Sequence, residues 1–152
     1  MTPDTRLHKD EAEGRKARSF TRHIPSGGRV LLGLIFFVTG LNGFLNFLPQ
    51  PSTMPAGAGA FADALMKTGY LFPLIMGTQL IAGALLLSNR FVPLALALLA
   101  PIVVNIFAFH VFLAPSGIPL ATVVLALEVY LAWAYRKTFR PMLTMRATPG
   151  AS

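Results

Sequence analysis

The chain has 152 residues, of which 54% are hydrophobic and 12% charged; a soluble domain carries about 25% charged residues, so an ordinary water-soluble globule is excluded. Thirteen Lys and Arg against six acidic residues give a net charge of +7, but all the cations except Lys67 lie in the tails and one short turn, which is the positive-inside distribution and not a nucleic-acid surface. No cysteine is present, which excludes disulfides, thiolate redox chemistry and cysteine-ligated iron–sulfur clusters.

Residues 1–28 mix charged residues and glycine with few apolar positions and read as a basic, mostly disordered cytoplasmic tail. Residues 30–48 then pass without a charge, long enough to cross a bilayer as one helix. Seven cations from Arg6 to Arg29 precede this run and Pro49 and Pro51 end it, so its basic end is expected in the cytoplasm. The run is too long, and its basic lead too extended, for a cleaved signal peptide, so it reads as a retained first span. The following P-Q-P-S-T-M-P-A-G-A-G-A, with three prolines and two glycines, is expected to hold no regular element. Phe61 and Leu65 next share one face and Asp63 and Lys67 another, at i,i+4, which predicts a short helix on the outer surface.

Residues 70–87 form the second expected span, with Pro73 in its first turn, where a missing N–H costs little. Ser88, Asn89 and Arg90 make a tight cytoplasmic turn. Residues 91–113 are the third span, and Pro101 inside it predicts a kink near residues 97–101. Residues 120–135 are the fourth, closed by Trp133 and Tyr135 at the interface and by Arg136, Lys137 and Arg140 beyond it; residues 142–152 are a second tail. Turns this short make neighbouring spans antiparallel. The expected fold is therefore all-α, an integral membrane four-helix up-down-up-down bundle over residues 29–141 with a short outer interfacial helix. It is placed in a bacterial-type inner membrane with both termini cytoplasmic. Gly33, Gly40, Gly43, Gly77 and Gly83, with Ala95, Ala97 and Ala100, offer the small surfaces that let membrane helices approach.

Six polar side chains fall within or beside the spans. A rise of about 1.5 Å per residue puts Asn46 and His110 near the outer boundary, Asn42 and Asn105 somewhat deeper, and Gln79 and Glu128 near the midplane, so a polar cavity should open outward. Glu128 stands out, because an acid at mid-bilayer must be protonated, solvated or paired. Its partners are expected among Gln79, Asn42, Asn105 and His110, as a pin between helices or as a proton carrier. His110, the sole histidine of the spans, cannot supply both axial ligands of a b-type haem, and no zinc or di-iron ligand set accompanies it. Asn105 and His110, five residues apart, do not share a helical face, whereas Asn42 and Asn46 do. The phenylalanines of the spans are ordinary lipid-facing material that would also suit a quinone groove. No phosphate loop, nucleophile elbow or Ser/His/Asp grouping is present, and no catalytic residue can be assigned.

The run R-x-x-L-G-L-I-F-F-V-T-G-L-N-G-F-L-N-F-L-P-Q-P, then T-G-Y-L-F-P-L and L-I-A-G-A-L-L-L-S-N-R-F-V-P-L-A-L, then A-P-I-V-V-N-I-F-A-F-H, resembles the DoxX family of small four-helix membrane proteins across about residues 24–143. The resemblance implies a four-helix bundle. In some relatives it also implies membership of membrane redox assemblies, as the small subunit of a thiosulfate:quinone oxidoreductase or in a complex with a superoxide dismutase. Many relatives carry Glu where this chain has Gln79. The expected function is an accessory or scaffold subunit of a membrane redox assembly, with no intrinsic cofactor and with the bilayer, a redox complex or further copies of itself as partners. Two alternatives stand beside it: a quinone-linked oxidoreductase subunit with its ligand in the outer-half polar cluster, and a small transporter or proton-coupled channel using Glu128.

Overall fold

The computed structural model describes residues 3–49 and 53–139, with side chains from Ile24 onward. Its helices are α1 (Pro3–Leu45), α2 (Ala56–Lys67), α3 (Leu71–Leu87), α4 (Val92–Phe112), α5 (Ile118–Ala134) and α6 (Arg136–Phe139), with a 3-10 turn at Pro115–Gly117 between α4 and α5. α1 packs on α3 and α5, and α4 packs on the same two, so the four long helices close a ring. The core inside it is aliphatic except for Phe36: Leu32 and Phe36 of α1 meet Leu86 of α3, Leu96, Leu99 and Val103 of α4, and Val124 and Leu131 of α5. Leu34, Ile81, Val104 and Val123 point outward and are more than half exposed. Helices apolar on both sides suit lipid and not water.

Among the described residues three helical segments are long and apolar enough to cross a membrane: Ile24–Leu45, Val92–Phe112 and Pro115–Ala134. α3 has 17 residues, roughly 26 Å of helix, and reaches that standard only together with α2, which bends away from it by 93°. Thr68, Gly69 and Tyr70 make the bend, and Gly69 carries it at φ 75, a conformation glycine adopts without strain.

Glycines set the distance between α1 and α3. A Cβ on Gly40 would stand 2.5 Å from the Leu80 backbone nitrogen and 2.8 Å from the Met76 carbonyl. One on Gly83 would stand 2.5 Å from the Phe37 nitrogen and 2.9 Å from the Gly33 carbonyl. Backbone therefore lies directly against backbone, the close approach by which membrane helices gain dispersion energy without a hydrophobic drive. Gly77 takes no part, since a Cβ there would meet only Phe44, at 4.0 Å.

The α3–α4 turn is built by its end geometry. Asn89 sits in the left-handed region at φ 57; its N–H donates to the Leu86 carbonyl and the Arg90 N–H to Leu85, which is a Schellman closure. Phe91, also left-handed at φ 50, then starts α4. Arg29 completes this end of α3. Its guanidinium Nη1 donates to the Leu86 carbonyl and, at 3.4 Å, to that of Leu87. The side chain is only 9% exposed, and a cation there complements the negative end of the helix dipole.

Three expectations differ from the structure. The chain is helical from Pro3, where a mostly disordered tail was expected; Ala12, Glu13, Arg15, Lys16, Ala17 and Arg18 are strong helix formers by local preference. The Pro/Gly-rich segment was expected to lack regular structure, yet its last five residues are the first turns of α2. Pro55 stands just before the helix, where its fixed φ and missing N–H do no harm, and Ala58 is fully buried. Arg29 was grouped with the orientation charges of the tail, but it belongs to the bundle.

Candidate functional site

α2 folds back across the end of α3 and α4, and beneath it lies a cleft of about 410 Å³, within the range of small-molecule sites. Phe61, Ala62 and Leu65 of α2 roof it. Phe72, Ile75, Met76 and Gln79 of α3 form one wall, and Pro101, Ile102, Asn105, Ile106, Phe109 and His110 of α4 form the other. The Phe61 and Phe109 rings, with centroids 5.5 Å apart and tilted by 46°, tie the roof to α4; such an aromatic pair stabilises by about 0.5–1.5 kcal/mol beyond its buried area. α4 remains helical through Pro101, which has no N–H to give to the carbonyl one turn earlier.

Three of the six polar candidates meet in this cleft. Gln79 is 5% exposed and its side-chain amide lies 3.0 Å from the Thr39 hydroxyl of α1, a hydroxyl that also reaches the Ile35 carbonyl at 2.9 Å; this contact holds the amide in the cleft wall. Thr39 was not singled out from the sequence, although it lies on α1 between Phe36 and Gly40, both buried against α3. Asn105 lines the α4 wall. His110 has Nδ1 2.8 Å from the Ile106 carbonyl, so Nδ1 carries the hydrogen of that bond. The imidazole also lies directly against Gly117, where any Cβ would collide with it. Asn105 and His110 border the same cleft despite their five-residue spacing, because the α4 wall takes in the whole stripe from Ile102 to His110.

The other three do not join them. Asn42 accepts the Leu48 N–H through Oδ1 at 2.7 Å, closing the end of its own helix. Asn46, at φ 49, donates its N–H to the Asn42 carbonyl at 2.8 Å. Both asparagines serve the α1 terminus, a job suited to side chains that tolerate the left-handed region. Glu128 is 5% exposed and lines a different space, a groove between α4 and α5. Its Oε2 is sealed and has no hydrogen-bond partner. The expected bonds to Gln79, Asn42, Asn105 or His110 are not made among the described residues, because the α5 stripe of Ala121, Val124, Glu128 and Leu131 faces the aliphatic side of α4. A bare carboxylate held there would cost several kcal/mol. Among the described residues no three His, Cys, Asp or Glu side chains come together as a metal-ligand set.

Comparison with known families agrees with this architecture: the DoxX family model matches residues 24–112, more than half of the chain. The chain belongs to the DoxX family. The DoxX match starts where the first spanning segment starts and ends on the last residue of α4, short of the resemblance expected to reach about residue 143. It contains the whole α2–α3–α4 cleft, whereas Glu128 lies beyond it. No curated protein and no solved structure gave a match.

Proposed function

We propose that this DoxX-family protein is an accessory membrane subunit that holds an amphipathic ligand of the quinone class in the α2–α3–α4 cleft and presents it to a redox partner. The observation that carries this reading is the cleft itself, an apolar pocket of about 410 Å³ with Gln79 buried in its wall and the polar side chains of Asn105 and His110 along α4. A quinone headgroup needs hydrogen-bond donors for its two carbonyl oxygens and apolar surfaces for its ring faces. The Gln79 and Asn105 amides supply the donors, and Ile75, Met76 and Ile106 supply the surfaces. The residues present fit the group. When bound, the quinone supplies the electron-accepting chemistry; the chain's own residues orient its headgroup, and α2 covers it from water.

The test is binding of a short-chain quinone to the full chain in nanodiscs, followed by quenching of aromatic fluorescence. Gln79→Leu should weaken binding about tenfold, the worth of one buried hydrogen bond at about 1.4 kcal/mol. Thr39→Val, which frees the Gln79 amide to turn, should weaken it less. An unchanged affinity in Gln79→Leu overturns the reading, and so does enzyme-like quinone turnover by the protein alone.

The proposed setting is a bacterial-type inner membrane with both termini in the cytoplasm. Its support is that Arg29 touches the end of α3, Arg90 follows in the adjoining turn, and Arg136 and Lys137 begin α6 after α5, so these cations gather at one end of the bundle. Arg136 also anchors there, stacked 4.3 Å over the Trp133 ring. In this otherwise cysteine-free chain, a cysteine at Ser116 should react with an impermeant thiol reagent added outside intact cells, and one at Asn89 should not. Labelling of the Asn89 position from outside would invert the topology.

A further inference from the structure

Glu128 has no task in the quinone reading: it lies on another face of the bundle and outside the family match. The groove above it has a volume of about 210 Å³, and Ala97, Ala100, Val104 and Val129 leave it open toward the lipid side. Every other side chain lining it is aliphatic except Phe139. The carboxyl is 5% exposed, with Oε2 sealed and unpartnered. Among the described residues nothing else in the groove can offset its charge. Among the described residues no other titratable group of α4, α5 or α6 lines it, and the one buried cation of the bundle, Arg29, is committed to the α3 carbonyls.

A carboxyl in this position must be protonated, solvated or paired, and between aliphatic walls its charged form is best held by a cation that enters the groove. The groove also decides which cation. A hard metal ion needs about six oxygens to replace its hydration shell, and the aliphatic walls offer none. An organic ammonium brings its own apolar surface to those walls and a single N–H to the part of the Glu128 carboxyl that lines the groove. The volume suits one small ion and not a drug-sized one.

We propose that the α4–α5 groove is a binding site for a small lipophilic ammonium ion, which exchanges with the proton of Glu128. The exchange is balanced: the acid loses H⁺ to the aqueous phase, the carboxylate and the ammonium ion remain as a neutral pair, and no covalent bond to carbon changes. Charge neutrality inside the bilayer is kept throughout.

The probe is benzyldimethylammonium, titrated into the full chain in phosphatidylcholine nanodiscs by calorimetry in two buffers of different ionisation enthalpy. One proton should be released per ion bound, and affinity should fall about tenfold for each unit that the pH is lowered while the acid is protonated, as proton linkage requires. Glu128→Gln keeps the shape of the side chain and should weaken binding at least about tenfold. Ala100→Phe fills the groove and keeps the carboxyl group itself, and should do the same, which separates occupation of the groove from any effect of the glutamine on folding. Gln79→Leu should leave ammonium binding unchanged, so failure of the quinone reading and failure of this one are distinguishable. Binding without proton release, equal binding by Glu128→Gln and Ala100→Phe, or no binding by the native chain would each overturn the proposal. Chains that associate through this groove and take up no ammonium would overturn it as well.

Discussion

Gly40→Ala should destabilise the bundle by about 1–3 kcal/mol, the cost of forcing one methyl group into a packed interface, while Gly59→Ala should leave stability unchanged or raise it by up to about 1 kcal/mol. Both are glycine-to-alanine changes inside helices, so intrinsic helix preference favours alanine equally at both sites. The difference lies in what the new carbon meets. At Gly59 nothing lies within 4 Å, whereas at Gly40 the Leu80 nitrogen, the Met76 carbonyl and the Leu80 Cα all lie within 2.9 Å. These are backbone atoms and cannot swing aside as a side chain would. α1 and α3 must separate, and with them the shared core of Leu32, Phe36, Ala82 and Leu86. Unfolding in mixed micelles of rising SDS fraction, followed by Trp133 fluorescence, measures both variants. Equal stability of the two would mean that α1 and α3 do not touch backbone to backbone.

Arg29→Leu should cost about 1.5–3 kcal/mol, the range for hydrogen bonds made by a charged donor, whereas Arg90→Ala should stay within about 0.5 kcal/mol of the native chain. The sequence gives both arginines one role, as cytoplasmic charges that flank apolar runs. The structure separates them. Arg29 is buried and donates to the Leu86 and Leu87 carbonyls at the end of α3, where the helix itself supplies few donors. Arg90 is exposed, and its side chain makes no hydrogen bond among the described residues. Arg29→Lys should fall between the two, because an ammonium lacks the planar fork that reaches neighbouring carbonyls together. The same SDS titration reads all three. If Arg29→Leu and Arg90→Ala lose equally little, Arg29 is only an orientation signal.

By itself the sequence determined the class of molecule and its elements. An uncharged run of membrane length, three further apolar stretches separated by short polar or proline-containing turns, and cations outside the spans suffice for an all-α membrane bundle. These are properties of one segment at a time, set by transfer to lipid and by the need to satisfy the backbone within each helix. The glycines of α1 and α3 were visible as small surfaces for the same reason. Arg29 was also within reach, since it stands at i, i+3 and i+7 with Leu32 and Phe36 on the buried face of α1. Tertiary structure alone decided which polar side chains meet. Depth along the membrane normal grouped Gln79 with Glu128, but depth says nothing of the azimuth around the bundle. Packing turned Gln79 toward Asn105 and His110 under α2, and Glu128 toward an aliphatic groove on another side. Asn42 and Asn46 matched a helix-pairing pattern in the sequence, yet the helix ends right beside them, and the unsatisfied groups at that end claim both. Segment properties are written locally, whereas a site is a coincidence of several helices, fixed only when their faces are packed against one another.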